Sequence, residues 1–420
     1  MASITFSRAR LSGRAMVPPA KSEAHRALLL AALGSGECRL NGFPPPLCDD
    51  THAMINGVTA LGAKVRHEGS ALIVTPAPAP VTGAPMVDCH VHACAAALRM
   101  LIPAFLVRGQ AVRFLMEPAL FRRPLDAFEP LVKKLGASMI RTPGENGALC
   151  TVEITGFMPD GSYEIDGSRS SQFASGMLIA LAHAMGDAPK HLVVTGPIVS
   201  RPYLDMTLTL MERFRVPYAE RSEGTFDLAA PAQRSPEEAD VSGDWSQAAV
   251  LLCINAMGGE IEIENLTRDE NCTQGDARVV DVLESMSAGD AVDVDCTDIP
   301  DIAPILALTA SQLRGTSVLR GVSRLRIKES DRLAATQELL ARLGVTSDVS
   351  GDGDTLCVHG PAQLQGGFEA DARNDHRLVM FLAAAALKCD EPITVHGVEC
   401  INKSWPGFFD TYRKLGGKAE

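Results

Sequence analysis

Apolar and polar positions along the chain follow two regimes. Long runs that are apolar on nearly every side, such as Ala27-Leu-Leu-Leu-Ala-Ala-Leu33 and Phe381-Leu-Ala-Ala-Ala-Ala-Leu387, predict helices buried all round. Short runs such as Ala71-Leu-Ile-Val-Thr75, His191-Leu-Val-Val-Thr195, Glu260-Ile-Glu-Ile-Glu264 and Ile393-Thr-Val-His396 predict strands. The apolar helices begin at small or polar residues: Ser22, Ala95, Ser170, Trp245, Asp301 and His376. A second helix series ends in an apolar-Gly-small signature at Leu61-Gly62-Ala63, Leu135-Gly136-Ala137, Leu343-Gly344-Val345 and Leu415-Gly416-Gly417, with degenerate copies at Phe214-Arg215-Val216 and Met286-Ser287-Ala288. Glycine fits directly after a helix because it tolerates the left-handed conformation that ends it. Both series advance by about 70 to 80 residues, and both share one short step of about 57. Two separate signals on one beat predict six copies of an α/β unit, with apolar helices inside and sheets outside.

Pro- and Gly-rich punctuation at Gly13–Pro19 and Pro231–Gly243 divides the copies into two groups of three. This predicts two similar domains, one discontinuous (1–18 and 242–420) and one continuous (19–241). A double-crossing hinge near 14–20 and 231–243 is expected to join them, with a cleft between. The 420 residues are 46% hydrophobic and 21% charged, a globular composition. A net charge of -12 argues against nucleic acid or an anionic membrane as partner, since both need a cationic face. The longest apolar runs, Met100–Val107 and Ala248–Ile254, fall far short of the ~20 residues of a membrane span. The first residues lack a signal-peptide core, and eleven scattered cysteines contain no CxxC pair. Both features predict a reduced, cytoplasmic location.

Candidate chemistry gathers where the buried helices begin: Lys21-Ser22, Ser170-Ser171-Gln172, Asp244-Trp-Ser-Gln247, Asp301 and Asp375-His376-Arg377. Helix N-termini carry unpaired N–H groups and partial positive charge, so several facing one ligand would trap an anion. Ordinary N-capping is the alternative reading of each. Basic residues Lys21, Arg26, Arg99, Arg123, Lys328, Arg332 and Arg377 recur at matching places, which points to a ligand with phosphate and carboxylate groups. Solvated surface charge is the alternative. Asp301 and Glu329 are the candidates for proton transfer, against a helix cap and an ion pair as the bland readings. His90-Val-His92 lacks a suitably spaced third ligand, so no metal site is expected. Cys94 reads as a buried structural cysteine. No P-loop is present, and no GxGxxG opens a helix after a strand.

Pro19-Ala-Lys-Ser-Glu-Ala-His-Arg-Ala-Leu-Leu29, Asp166-Gly-Ser-Arg-Ser-Ser-Gln-Phe173, Ser200-Arg-Pro-Tyr-Leu-Asp205, Gly243-Asp-Trp-Ser-Gln-Ala248, Gln274-Gly-Asp276, Ile299-Pro-Asp301, Arg326-Ile-Lys-Glu-Ser-Asp-Arg332 and Asn374-Asp-His-Arg377 resemble, in order, the motifs of the EPSP synthase (3-phosphoshikimate 1-carboxyvinyltransferase) family. The resemblance implies two domains, each of three βαβαββ units forming an inside-out α/β barrel. It implies transfer of the enolpyruvyl group of phosphoenolpyruvate to the 5-hydroxyl of shikimate 3-phosphate, with release of phosphate. Lys21, Ser22, Arg26, Ser170, Ser171, Gln172, Ser200, Tyr203, Asp301 and Lys328 would hold shikimate 3-phosphate. Lys21, Arg123, Gln172, Arg332, Arg377 and Lys403 would hold phosphoenolpyruvate. Asp301 would take the hydroxyl proton and Glu329 would handle the methylene proton, with His376 and Lys21 beside them. No cofactor or metal is implied, and the enzyme is expected to be a monomer.

Departures from the family pattern cluster on the donor side. The start reads Pro18-Pro-Ala-Lys-Ser22, one hydroxyl short of the usual Ser-Lys-Ser. A Gly that lets backbone approach phosphoenolpyruvate is replaced within Ala93-Cys-Ala-Ala-Ala97, where Ala95 adds a methyl group. A second family Arg corresponds to Ala119. The place of a donor-binding Lys is taken by Glu399, with Lys403 four residues on. A relative with a remodelled donor pocket or altered donor, and a non-catalytic phospho-ligand-binding relative, are the alternatives; retention of Asp301 and Glu329 argues against the latter.

Overall fold

Six apolar helices line the inside of the protein, three in each of two compact units. The computed structural model describes residues 2–79, 83–145, 147–229, 234–268 and 272–420. One unit comprises Met1–Pro18 and Gly243–Glu420, the other Pro19–Ser242. Pro231–Gln233, the start of the expected hinge stretch, lie outside the described residues.

In the continuous unit, helices Lys21–Leu33, Ala95–Arg108 and Ser171–Ala182 pack on one another pairwise. In the discontinuous unit, Trp245–Ala256, Ala303–Ala310 and His376–Ala386 do the same. Their Ala and Leu content favours helix and leaves no polar face to solvate. Close approach is built in at Gly176, where a Cβ would lie 2.8 Å from Met100 Cα and 3.0 Å from the Arg99 carbonyl.

Sheets cover these helices. In the second copy, strand Val87–His92 runs parallel to Val112–Met116, with helix Ala95–Arg108 as the crossover. The hairpin Ser138–Thr142 with Cys150–Thr155 then adds antiparallel to Val112–Met116. Alternate residues Cys89 and Val91, Val112, Phe114 and Met116, and Val152 and Ile154 are buried, the period-2 signature of a half-buried sheet. Five four-stranded sheets share this strand order. The fourth copy has only the parallel pair Ser12–Ala15 and Glu260–Ile263. Among the described residues no hairpin follows its second helix, Val279–Met286. That missing hairpin is the source of the one short step in the sequence repeat.

The second helix of each copy ends where the repeat signature stands. Gly136 has φ 61° and donates to the Lys133 and Val132 carbonyls; Gly62, Gly344 and Gly416 are likewise left-handed. In the third copy Arg215 takes that conformation at φ 59°. The fourth copy differs from expectation, because Ser287 stays right-handed and Gly289 makes the turn instead. Strands contributed from far along the chain close each unit: Glu238–Asp240 pairs with Cys38–Asn41, and Ser3–Ser7 pairs with Ile393–His396 and Lys418–Ala419.

Candidate active site

Helix starts in each unit carry the polar residues. In the continuous unit, Lys21 opens its helix and its Nζ lies 2.9 Å from Asp50 Oδ2. His25, one turn on, donates from Nε2 to the Asp50 carbonyl at 2.9 Å, and burial pushes its pKa down to about 4. A neutral imidazole that keeps one ring N–H satisfies that carbonyl from Nε2.

Arg26 is 1% exposed. Its Nε donates to Thr207 Oγ1 at 2.7 Å, Nη1 to the Ser22 carbonyl at 2.7 Å, and Nη2 to Ser175 Oγ at 3.0 Å and the Tyr203 carbonyl at 2.9 Å. Four of its five N–H donors are therefore spent on protein. Arg26 ties three helices together around Ser22 and Tyr203.

Ser170 caps the third helix, its Oγ accepting from the Gln172 N–H at 3.3 Å, and Ser171 is buried beside it. Gln172 Oε1 accepts from Arg99 Nη1 at 3.0 Å, while Arg99 Nη2 reaches the Pro124 carbonyl at 3.2 Å and its guanidinium stacks on Phe173 at 4.8 Å. Arg123 stands part-buried immediately before that Pro124. Ser200 sits at φ 53°, ψ 51° at the start of helix Arg201–Arg213. A non-glycine residue in the left-handed region is strained, and here it stands three residues from Tyr203.

The discontinuous unit holds the acidic groups. Asp301 lies in the turn Pro300–Ile302, where its Oδ1 is 2.9 Å from Lys328 Nζ and 2.9 Å from Arg332 Nη1. Burial pushes the Asp301 carboxyl up, but Lys328, Arg332 and Arg377 more than offset that and hold it well below the usual range. Arg332 is 1% exposed and also grips Asp375 through Nε to Oδ2 at 2.9 Å and Nη2 to Oδ1 at 3.1 Å, and Glu329 through Nη2 at 2.7 Å. Burial opposes its charge, yet Asp375, Glu329 and Asp301 keep its pKa above the ordinary guanidinium value. Arg332 is thus a junction of three carboxylates.

Asp375 follows two left-handed residues, Arg373 and Asn374, and caps helix His376–Ala386 by accepting from the Arg377 N–H at 3.0 Å. Ser330 Oγ donates to its other oxygen at 3.0 Å. Arg377 Nη1 donates to the Ser246 carbonyl at 2.6 Å. His376 is buried. Glu399 and Lys403 part company: Glu399 accepts from the Ala2 N–H at 3.1 Å on the surface, while Lys403 is buried at the end of the turn Val398–Lys403. Ala95 is the buried first residue of its helix and Ala119 is half-buried. Cys94 is buried and its Sγ accepts from the Ala97 N–H at 3.4 Å. His90 and His92 flank a register shift, ring centroids 6.1 Å apart.

A family model described as EPSP synthase (3-phosphoshikimate 1-carboxyvinyltransferase) matches residues 7–412. The chain belongs to the EPSP synthase family. The 3-phosphoshikimate 1-carboxyvinyltransferase of Methanocorpusculum labreanum is 35% identical over 98% of this chain and 98% of its own length. That of Clostridium kluyveri is 32% identical over 99% of this chain and 98% of its own. Among solved structures, EPSP synthase from Acinetobacter baumannii superposes with a TM-score of 0.78 at 20% identity, covering 100% of both chains. The enolpyruvyl transferase NikO from Streptomyces tendae superposes at 0.74 and 17% identity, covering 100% of this chain and 98% of its own. At those identities the likeness is one of fold: two domains of α/β repeats, as the EPSP synthase resemblance implied. Among the described residues no helix is long and apolar enough to cross a membrane.

Several EPSP synthase site neighbours escape a sequence reading. Asp50 carries no signal beyond being one of two acidic residues opening a helix, and its pairing with Lys21 is set by tertiary packing. Asp375 and Asp276 stand inside recognised motifs, but nothing local distinguishes a cap or a buried carboxyl from a ligand.

Proposed function

We infer that this chain transfers the enolpyruvyl group of phosphoenolpyruvate to the 5-hydroxyl of shikimate 3-phosphate, releasing phosphate. The observation that carries the reading is the Asp301 carboxylate held between Lys328 and Arg332, with Glu329 on the same guanidinium. A carboxylate kept ionised by fixed cations can accept a hydroxyl proton, and a second carboxyl nearby can deliver one to carbon. Both substrates are small polyanions, and Lys21, Arg123, Lys328, Arg377 and Lys403 supply the opposite charge.

In this mechanism Lys21, Ser22, Arg26, Ser170, Ser171, Gln172, Ser200, Tyr203, Asp301 and Lys328 hold shikimate 3-phosphate. Lys21, Arg123, Gln172, Arg332, Arg377 and Lys403 hold phosphoenolpyruvate, and Arg332 also fixes Asp301, Glu329 and Asp375. Glu329 protonates the methylene carbon, which makes C2 electrophilic. Asp301 removes the 5-hydroxyl proton as the oxygen adds to C2, giving a tetrahedral ketal. Loss of phosphate, which carries off the proton held by Asp301, with return of a methyl proton to Glu329, regenerates the double bond and both carboxyl groups. His376 and Lys21 assist these transfers. Positioning two anions and matching acid to base account for the rate enhancement. We further propose that the enzyme works as a monomer in the cytoplasm, consistent with the absence of any disulfide among its eleven cysteines.

The deciding experiment is phosphate release with shikimate 3-phosphate and phosphoenolpyruvate. The wild type is expected to turn over, and Asp301→Ala to lose about 10²–10⁴-fold in kcat. Folded wild-type protein that releases no phosphate would overturn the reading.

A further inference from the structure

The Gln274-Gly-Asp276 motif has no part in the chemistry above, yet it grips the start of helix Trp245–Ala256 at three points. Gln274 Oε1 accepts from the Trp245 N–H at 2.8 Å, and Gln274 Nε2 donates to the Gly243 carbonyl at 2.9 Å. At the next residue, Ser246 Oγ donates to Asp276 Oδ2. Ser246 is the residue whose carbonyl accepts from Arg377 Nη1 at 2.6 Å. Gln274 is 9% exposed and Asp276 1%, so neither is placed there by solvation. A buried carboxylate is costly unless it is paired and hydrogen-bonded.

We propose that Asp276 is a positioning residue for Arg377, fixing Ser246 so that its carbonyl holds the guanidinium in place, and thereby sets affinity for the phosphorylated donor. The proposal rests on Arg377 being a phosphoenolpyruvate ligand. Asp276 acts through two links, a hydroxyl and a backbone carbonyl, and needs no contact with substrate. Its surroundings fit this task. The charged groups around it are Arg377 on helix His376–Ala386, Asp301 in the turn Pro300–Ile302 and Asp244 at the cap of helix Trp245–Ala256. Arg377 is a cation, so Asp276 also balances the charge it positions. Gln274 complements it by locking the backbone on the other side of Ser246.

Steady-state kinetics with both substrates varied test this on Asp276→Ala, Asp276→Asn and Ser246→Ala. Asp276→Ala is expected to raise KM for phosphoenolpyruvate about tenfold, the effect of losing one hydrogen bond to a charged group, with KM for shikimate 3-phosphate little changed. Ser246→Ala should act alike, and the double variant should be no worse than either single one, because both break the same link. Asp276→Asn keeps an oxygen for the Ser246 hydroxyl and the volume of the side chain, so it should recover most of the donor affinity. Equal rises in both KM values, or multiplying effects in the double variant, would overturn the proposal. Arg377→Lys separates the two levels. If it raises KM for phosphoenolpyruvate while Asp276→Ala does not, the positioning role fails alone; if it leaves that KM unchanged, the assignment of Arg377 fails first.

Discussion

Arg332 shows how one side chain can decide both stability and chemistry. A guanidinium offers a planar fork of five donors, and here the fork meets Asp375 side-on and Asp301 and Glu329 at its tips. Removing it would strand Asp375, which is 0% exposed, as an uncompensated buried charge. Arg332→Met is therefore expected to cost about 3–5 kcal/mol in the unfolding of the discontinuous unit, read by urea titration. Adding Asp375→Asn should return part of that loss, since the stranded charge is gone; no recovery would show that packing, not charge, is what Arg332 supplies. Residue types at this site were legible in the sequence because the Lys-Glu-Ser-Asp-Arg and Asn-Asp-His-Arg runs carry them. The direction in which each fork points was not, because it depends on Asp375, 43 positions from Arg332, being turned by the two left-handed residues before it.

Helices place these side chains, and their spacing is set by small residues at crossing points. Gly176 faces the backbone of Met100 and Arg99, so the helix Ser171–Ala182 carrying Gln172 can approach the helix carrying Arg99 only while that position lacks a Cβ. Gly176→Ala should overpack this crossing by about 1–3 kcal/mol and lower the melting temperature of the continuous unit by roughly 2–12 °C. Gly351→Ala, where a Cβ would meet nothing within 4 Å, is the control and should melt like the wild type. An unchanged melt for Gly176→Ala would mean that the two helices can separate without cost. The helices themselves were readable from sequence, since an all-round apolar run has only one place to go. Helix ends were readable wherever glycine made the turn, and misread in the fourth copy, where Ser287 stood at the beat but Gly289 turned the chain. The short repeat step was visible as a number, while its cause, a missing hairpin, needed the strand pairing.

Across the whole molecule the buried titratable groups divide unevenly between the two units, and this predicts which one yields first to acid. His25 and His183 both lie in the continuous unit, and burial lowers each pKa from 6.5 to about 4. A histidine whose folded pKa is depressed contributes stability that is intact above pH 6.5 and is lost as the pH falls toward 4. The shift is worth roughly 3 kcal/mol for the fully buried His25 and less for the part-buried His183. Glu23 in the same unit, raised by burial, works the other way and offsets a portion. In the discontinuous unit Asp276 is pushed up to about 6 by burial, so its bound proton adds stability that is lost as pH rises through 6 and regained on acidification. Asp301, held well below 3.8 chiefly by Lys328 and Arg332 against the opposing effect of burial, gives up its contribution only below that range. Between pH 6.5 and 4, residues 19–242 should therefore weaken while 243–420 hold or gain. Hydrogen exchange at pH 7 and pH 4.5, corrected for the intrinsic rate, checks this: peptides from 19–242 should lose protection first, and His25→Asn should narrow the gap by removing the largest single acid-sensitive group. Earlier loss in 243–420 would mean that the carboxylates around Arg332, rather than the buried histidines, set the acid limit of the fold.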